Sequence, residues 1–368
     1  MPAGHKPRIA AVITEYRRNS HAELIVGRLL GELGYEPQVQ VAAMYTDQVP
    51  PNDMSREMAA KHSVPIFDTI EEAFTFGGSV DHADGLVLIG EHGDYPINAK
   101  GQKEYPRRRF IEEALHAMDR RNVRVPIFLD KQLAYDIDDA CWIYEQIKRR
   151  DIPFLAGSSV PYTAVRPAYD RSLLGDLKEA FVVSWGGNES YGFHAMEVLQ
   201  SLAERRAGGE TGVDSVQALS GPEMWAAADR GGWPEDLLAM ALQAQPQPHP
   251  NRVHPREACA APVLFIVNYR DGTRGYVAQL QDYVSTWSYA VRLNSGQRIA
   301  AACELDTDRP FAHFGTLTRH IEHLILTGQA PCRVERTLFT TCMIDYAMAS
   351  LFLRSAVPTP RLLLSYDP

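Results

Sequence analysis

The first 160 residues alternate short apolar runs with amphipathic segments of ten to fifteen residues, and this alternation constrains the fold more than any other feature. The runs RIAAVI, LVLI and PIFL are continuously apolar, which is typical of strands buried on both faces of a sheet. Strands separated by helices predict a Rossmann-like, doubly wound parallel sheet. Ligands of such sheets bind at the carboxyl ends of the strands, so the residues that follow each strand form the candidate site.

The pattern changes after residue 165, which predicts two domains, residues 1–165 and 166–368. A Pro-rich segment, QAQPQPHPNRVHP, precedes the runs PVLFIVNY and GYVAQL, and the sequence RDGT between these runs predicts a hairpin turn. The second half is therefore predicted to be an α+β domain with an open, mostly antiparallel sheet. The expected fold class of the whole chain is α/β.

Composition excludes several classes of protein. The net charge of −9 argues against a nucleic-acid binder. No apolar stretch approaches the roughly 20 residues that span a bilayer, and the early run IAAVI is too short for a signal peptide. The five cysteines are scattered without C-x-x-C spacing, as expected for reduced thiols. We therefore expect a cytoplasmic protein whose partner is a small-molecule substrate.

Several motifs occur in a characteristic order. The segment HSVPIFDTIEEAF precedes the strand ADGLVLIG, a later strand ends in LDK, and a GFHAME helix begins the second half. This order resembles the glucose–fructose oxidoreductase, inositol dehydrogenase and MocA (Gfo/Idh/MocA) family. The resemblance implies a Rossmann domain followed by a domain with an open sheet, and a homodimer or larger assembly formed through that sheet.

The resemblance also implies a Gly-x-Gly turn and a helix histidine that hold a dinucleotide. His21 stands at the histidine position, but Thr14, Tyr16 and Arg17 occupy the glycine-rich stretch. Glycines let the backbone approach a diphosphate closely, so Tyr16 followed by Arg17 and Arg18 is expected to crowd a dinucleotide. The two arginines and His21 are expected to bind a smaller anion at the helix start instead.

The acidic residue that holds the adenosine ribose in the family falls near Tyr45, with Asp47 two residues later. Since Tyr45 is not acidic and the glycines are missing, the sequence disfavours NAD(P) binding.

The chemical residues of the family are better preserved. Lys131 represents the lysine of the Glu-Lys-Pro motif, with Asp130 in place of the glutamate. His194 represents the acid/base histidine, with Ser190 at the position of the family's aspartate and Glu189 beside it. The resemblance therefore implies catalytic roles for Lys131 and His194. Their retention without cofactor residues favours proton transfer without hydride transfer.

The loop IGEHGDYP carries three ionisable side chains, Glu91, His92 and Asp94, directly after the strongest predicted strand. A structural interpretation is that Asp94 caps the turn, Glu91 pairs with an arginine and His92 bonds to the backbone. A functional interpretation is that they bind substrate, or bind a divalent metal together with His194 and Glu197, which share a helix face.

Two further arginine features have both structural and functional interpretations. The run Arg107–Arg109 precedes an apolar helical pattern and is interpreted as a solvated helix start, with an anion site as the alternative. Arg166 follows the strand IPFLAG and either contacts substrate or belongs to a structural turn.

The leading hypothesis is a lyase, isomerase or hydrolase on an oxidoreductase-like scaffold, acting on a small hydroxylated or carboxylated molecule, with metal assistance as an option. The alternatives are an NAD(P)-dependent sugar or polyol oxidoreductase with an atypical cofactor loop, and a non-catalytic ligand-binding or assembly subunit.

Overall fold

The computed structural model describes residues 6–246, 253–306 and 308–368, so part of the Pro-rich segment lies outside the described residues. The chain divides into two compact units. The first consists of residues 1–96, 103–159 and 306–334, and the second of residues 97–102, 160–305 and 335–368. The domain boundary between residues 165 and 166 stays a prediction. None of the helices in the described residues is both long and apolar enough to cross a membrane.

The first unit alternates strands and helices as the sequence predicts. Its elements in chain order are β1 Arg8–Ile13, α1 His21–Leu29, β2 Gln40–Thr46, α2 Ser55–His62, β3 Ile66–Phe67, α3 Ile70–Phe74, β4 Gly85–Ile89, α4 Arg107–Arg121, β5 Ile127–Asp130, α5 Ile137–Arg149 and β6 Phe154–Gly157.

The six strands of this unit form a parallel sheet in the order β3-β2-β1-β4-β5-β6. Residues 85–89 of β4 and 127–130 of β5 are buried throughout, because helices cover both faces of a doubly wound sheet. The Rossmann-like prediction is confirmed. The strand order reverses direction between β1 and β4, which makes their carboxyl ends the expected ligand crevice.

The turn from β1 to α1 forms without glycine. Asn19 has a φ of 60°, a left-handed conformation that asparagine tolerates better than most residues. Ser20 is the N-cap of α1 and accepts a hydrogen bond from the Glu23 backbone N–H. The Glu23 carboxylate in turn accepts from the Asn19 N–H at 2.6 Å and pairs with Arg309 at 2.9 Å.

The second unit contains most of the remaining elements. In chain order these are β7 Val165–Arg166, β8 Leu177–Ser184, α6 Ser190–Ala203, β9 Val213–Ser220, α7 Pro222–Asp229, α8 Glu235–Gln243, α9 Pro255–Ala258, β10 Val263–Tyr269, β11 Arg274–Gln279, β12 Ser288–Leu293, β13 Arg298–Cys303, α10 His313–Thr327, α11 Val334–Leu353 and β14 Val357–Pro358. Of these, α10 lies in the first unit.

The eight strands of the second unit form one sheet in the order β14-β9-β10-β11-β8-β12-β13-β7. The predicted hairpin joins β10 and β11, which pair antiparallel. Among the strands of the described residues in this sheet, only β8 and β11 run parallel, so the sheet is mixed and mostly antiparallel, as expected. The parallel pair brings Ser184 and Gln279, the last residues of β8 and β11, side by side.

A buried ion pair ties α6 to α11 within the second unit. Arg336 contacts both carboxylate oxygens of Glu204, and its Nε lies 3.0 Å from Oε2. The Tyr366 hydroxyl donates to the same Glu204 carboxylate at 3.0 Å. Arg336 is 7% exposed and Glu204 1% exposed, so both charges depend on each other for compensation.

We expect Gly212→Ala to lower the free energy of unfolding by about 2–4 kcal/mol, measured by urea denaturation. Gly212 has a φ of +109°, which strains residues with a β-carbon. An added β-carbon would also lie 2.7 Å from the Leu362 carbonyl oxygen, and a backbone oxygen has little freedom to move away.

Gly272→Ala is the matched control. Gly272 also has a left-handed φ, +90°, but no atom lies within 4 Å of its added β-carbon among the described residues. We expect Gly272→Ala to lower the free energy of unfolding by only about 1–2 kcal/mol, the cost of backbone strain alone. Equal losses for the two variants would contradict the close approach of Leu362.

Candidate functional site

The carboxyl ends of β1, β4 and β5 bring together a cluster of ionisable side chains in the first unit. The Thr14 backbone N–H, just after β1, donates to the Ile89 carbonyl of β4 at 3.1 Å, and the Thr14 hydroxyl donates to the Glu91 carbonyl. These bonds fix the backbone that carries Glu91. Lys131, just after β5, exchanges two backbone hydrogen bonds with Gly157 at 3.0 and 3.2 Å. Both side chains therefore project from a rigid sheet edge.

Lys131 and Glu91 form the buried ion pair of this cluster. The Lys131 Nζ lies 2.5 Å from Glu91 Oε1, and the two side chains are only 5% and 8% exposed. Burial raises the pKa of Glu91, but the positive charges of His21 and Lys131 outweigh burial and hold that pKa well below its usual value. Glu91 is therefore ionised, and it pairs with a lysine rather than with the arginine that the structural interpretation expected.

His21 links the pair to a second carboxylate. Its Nδ1 lies 2.7 Å from Asp130 Oδ2 and 3.2 Å from Glu91 Oε2. Burial lowers the pKa of His21, but the charges of Asp130 and Glu91 raise it by more, so the net shift is upward. Asp130 is the functional candidate that sequence reasoning missed. Its signal was its place at the last position of β5, immediately before Lys131.

Arg17 and His92 lie at the edge of the cluster. The Arg17 guanidinium donates to His92 Nδ1 at 2.8 Å and pairs with Glu15 at 3.0 Å. Burial lowers the pKa of His92 to about 4, so the ring is neutral at physiological pH and accepts this hydrogen bond. The bond of His92 is therefore to a side chain, not to the backbone as the structural interpretation had it.

The remaining predicted residues lie elsewhere. Asp94 and Arg18 are exposed, and the Asp94 backbone exchanges hydrogen bonds with the Gln48 side chain. The second unit holds the other four, which are Glu189 at the N-cap of α6, His194 and Glu197 within α6, and Arg166, whose side chain is 81% exposed and pairs with Glu304.

Tyr16 does not fill the space in front of α1. Its side chain is fully buried, and its hydroxyl lies 2.9 Å from the point that a β-carbon on Gly27 of α1 would occupy. The ring therefore packs beneath the helix, where the absence of a side chain on Gly27 makes room for it. The expectation that Tyr16 crowds a dinucleotide is wrong for this reason.

Asp47, rather than Tyr45, is the acidic residue that follows β2. The Tyr45 ring packs edge-on against Phe110 at 6.0 Å, whereas the Asp47 carboxylate accepts from the hydroxyls of Tyr45 and Tyr95 at 2.6 Å each and pairs with Arg109 at 2.5 Å. Burial raises the pKa of Asp47, and these hydrogen bonds lower it by more, so the carboxylate is ionised.

The residues of the first unit fit a dinucleotide. Arg17 and Arg18 place two cationic side chains beside the start of α1, where diphosphates bind in this fold. Asp47 directly follows the neighbouring strand β2, and its Oδ2 accepts only the Tyr95 hydroxyl among the described residues. No glycine is needed for the turn itself, because Asn19 adopts the left-handed conformation.

A metal site among the predicted ligands Glu91, His92, Asp94, His194 and Glu197 stays a prediction. Among the described residues, the ligand atoms that converge belong to His21, Glu91 and Asp130, which lie within 4.8 Å of one another. The Lys131 ammonium occupies the same neighbourhood and already compensates the Glu91 charge.

The interpretation of Arg107–Arg109 as a solvated helix start is wrong for its first residue. Arg107 is 0% exposed and is the largest fully buried side chain among the described residues. Arg108 pairs with Asp139 at 2.9 Å, and Arg109 pairs with Asp47, so these two are the arginines that behave as surface charges.

The second unit carries an aromatic cluster, defined here as Trp185, Tyr191, His194 and Trp287. Trp287 lies 4.1 Å from Trp185 and 5.4 Å from His194 between ring centroids, and it stacks on Tyr191 at 5.8 Å. The buried polar atoms without a hydrogen-bond partner in the described residues include the Trp287 Nε1, both side-chain polar atoms of Gln279 and the Asn188 Oδ1.

No family model and no curated protein sequence matches the chain. Solved structures match it throughout. Scyllo-inositol dehydrogenase from Lactobacillus casei, with bound NAD(H) and scyllo-inositol, aligns with a TM-score of 0.61 at 12% identity, covering 96% of this chain and 99% of that chain. Myo-inositol dehydrogenase from Corynebacterium glutamicum gives 0.58 at 10% identity, covering 96% and 99%. A protein from gentamicin A biosynthesis in complex with NAD gives 0.59 at 11% identity, covering 97% and 99%.

These comparisons correct two expectations. The preference for non-redox chemistry is wrong, because the similar structures are dehydrogenases and favour the oxidoreductase alternative. The view that NAD(P) is disfavoured is wrong as well, because two of these structures hold NAD(H) or NAD, and the crowding argument fails with Tyr16 in the core. The chain has the fold of the Gfo/Idh/MocA oxidoreductases.

Proposed function

We propose that the protein is an NAD-dependent oxidoreductase that acts on a hydroxyl group of a polyol or sugar. The observation that carries this proposal is the buried Lys131–Glu91 pair at the carboxyl edge of β4 and β5, in a fold whose similar solved structures are inositol and related dehydrogenases.

The residues of the first unit would hold the cofactor at two points. Arg17 and Arg18, beside the α1 N-terminus, would bind the diphosphate. The Asp47 carboxylate would accept hydrogen bonds from the hydroxyls of the adenosine ribose. The nicotinamide would supply the hydride acceptor.

Lys131 is the residue we propose for proton handling at the reacting oxygen. In the direction of oxidation its Nζ would take up the proton of the substrate hydroxyl, and Glu91 orients it through the 2.5 Å contact. His21 lies 3.2 Å from Glu91 and is oriented by Asp130 through a 2.7 Å contact. Glu91, His21 and Asp130 are therefore positioning residues. His194 as a further acid/base residue stays a prediction.

The second unit contains aromatic rings and unpaired buried polar atoms of the kind that bind polyhydroxylated ligands. Aromatic rings such as Trp185 and Tyr191 offer flat apolar faces, and the Gln279 amide and Trp287 indole N–H, unpaired within the described residues, offer donors and an acceptor for hydroxyl groups. Buried polar atoms without partners are costly, so a ligand that satisfies them is favoured.

The proposal is tested by titrating the protein with NADH and NADPH while following nicotinamide fluorescence, and by measuring NAD⁺ reduction with inositols and sugars. We expect saturable NADH binding in the micromolar range and turnover of at least one polyol. If neither NADH nor NADPH bound to the protein, the proposal would be overturned. The predicted homodimer can be measured by light scattering on the same sample.

We expect Asp47→Ala to weaken NADH binding by about 10- to 100-fold, because a charged acceptor for the ribose hydroxyls is lost. NADPH binding should weaken less or improve, since the carboxylate no longer repels a 2′-phosphate and Arg109 loses its 2.5 Å partner. The measurement is the ratio of the two dissociation constants.

Asp68→Ala is the control for this ratio. Asp68 is an exposed carboxylate that follows β3, one strand further from β1. We expect it to leave both dissociation constants unchanged within about twofold. If Asp47→Ala left the NADH-to-NADPH ratio at the wild-type value, Asp47 would not be the ribose ligand.

A further inference from the structure

Arg107 is a buried cation without a counter-ion in the part of the chain that the structure describes. Its side chain is 0% exposed, and none of its three guanidinium nitrogens has a hydrogen-bond partner among the described residues. Its one described interaction through the guanidinium is with the Tyr105 ring, whose centroid lies 4.8 Å from the guanidinium carbon. A ring face attracts a cation, but this attraction is weaker than the ion pair and hydrogen bonds that usually compensate a buried charge.

The position of Arg107 places this charge at the ligand edge of the parallel sheet. The arginine is the first residue of α4, and its side chain lies against Gly90, the residue that follows β4. A β-carbon on Gly90 would lie 2.7 Å from Arg107 Cγ and 3.4 Å from Nε, so the glycine leaves the space that the arginine uses. The carboxyl end of β4 borders the crevice where the strand order reverses.

The two arginines that follow Arg107 in the sequence, unlike Arg107, both have carboxylate partners. Arg108 pairs with Asp139 and lies over the Trp142 ring at 3.3 Å, and Arg109 pairs with Asp47 and Glu113. The described residues thus provide carboxylates for the two arginines that are partly exposed and none for the one that is fully buried.

We propose that Arg107 is the anchor of an oxyanion-binding site, which takes a phosphate or a carboxylate group of a ligand. Five N–H donors in a planar fork match two oxygens of such a group, and pairing in a buried setting makes the bonds strong. Tyr105 lies on the short stretch 103–106 that precedes α4, and its ring is the group that an incoming oxyanion displaces. The cofactor diphosphate and a substrate carboxylate are the two sources of this chemistry.

The test compares wild type, Arg107→Met, Arg107→Lys and the control Arg108→Met by calorimetric titration with sodium phosphate and with sodium glycolate, at an ionic strength held constant with chloride. We expect wild type and Arg108→Met to bind at least one anion saturably. We expect affinity at least tenfold weaker in Arg107→Met and intermediate in Arg107→Lys, which keeps the charge but not the fork. Without added anion, Arg107→Met should melt at or above the wild-type temperature, because it removes an unpaired buried charge.

Two results of the titration would overturn the proposal. One is that wild type binds neither anion, and the other is that Arg107→Met binds them as tightly as wild type. A lower melting temperature of Arg107→Met in anion-free buffer would also count against it. Repeating the titration with NADH present identifies the source, because competition assigns the site to the cofactor diphosphate and independence assigns it to a substrate carboxylate. If NADH did not bind, the proposed function would be wrong, but the anion titration without NADH would still test the oxyanion site.

Discussion

Lys131→Met is expected to lower kcat for NAD⁺-dependent oxidation by about 10²- to 10⁴-fold, the range that a positioned acid/base group contributes. The substitution keeps the length of the side chain but removes the ammonium, 2.5 Å from Glu91. KM should change little if the lysine acts mainly on the reacting oxygen in the transition state. The measurement is steady-state turnover per NADH-binding site, counted by fluorescence titration on the same preparation.

Lys131→Met removes the closest cation of the buried Glu91 carboxylate and leaves His21 as its closest charged partner, so the variant can also lose folded protein. Expressing turnover per NADH-binding site corrects for this loss, because only folded protein binds NADH. Lys61→Met is the control, since Lys61 is 57% exposed and pairs with Glu32 on the surface. We expect its kcat to equal that of the wild type. A Lys131→Met enzyme within threefold of wild-type kcat would remove Lys131 from the mechanism.

Arg336→Met is expected to cost about 3–5 kcal/mol in the free energy of unfolding, measured by guanidinium denaturation. The substitution leaves the Glu204 carboxylate, which is 1% exposed, without its arginine partner. The Tyr366 hydroxyl still donates to this carboxylate, but it carries no positive charge. The double variant Arg336→Met, Glu204→Leu should recover much of the loss, because no uncompensated charge remains.

The control for this effect is Arg8→Met, which breaks the surface pair with Asp81, where the side chains are 33% and 60% exposed. Exposed pairs contribute about 1 kcal/mol or less, so a small loss is expected. Similar losses for Arg8→Met and Arg336→Met would show that burial does not decide the strength of the α6–α11 pair.

Much of the fold could be predicted from the sequence because it depends on periodicity. The runs in β1, β4 and β5 are short and continuously apolar, which is typical of strands covered on both faces. The carboxyl end of β4 then indicated Glu91, whereas Lys131 was indicated by the resemblance to the Glu-Lys-Pro motif of the Gfo/Idh/MocA family. The parallel pairing of β8 with β11 could not be predicted, since it joins strands distant in the chain.

The orientation of single side chains was the main source of error. Tyr16 lies in a turn, where no repeat tells which way a ring points, and only the packing against Gly27 decides it. Arg107 did carry a signal, because it lies three, four and seven positions before Phe110, Ile111 and Ala114, which are all buried. That spacing places the arginine on the apolar face of α4. Its charge alone suggested the surface.

The return of residues 306–334 to the first unit has a consequence for biosynthesis. Glu322 of α10 accepts hydrogen bonds from Tyr35 and from the Gln38 backbone, and Phe314 packs edge-on against His21 at 5.0 Å. A nascent chain that has reached only residue 305 lacks these partners. The unit with the parallel sheet therefore remains incomplete on the ribosome until residues 306–334 have been made.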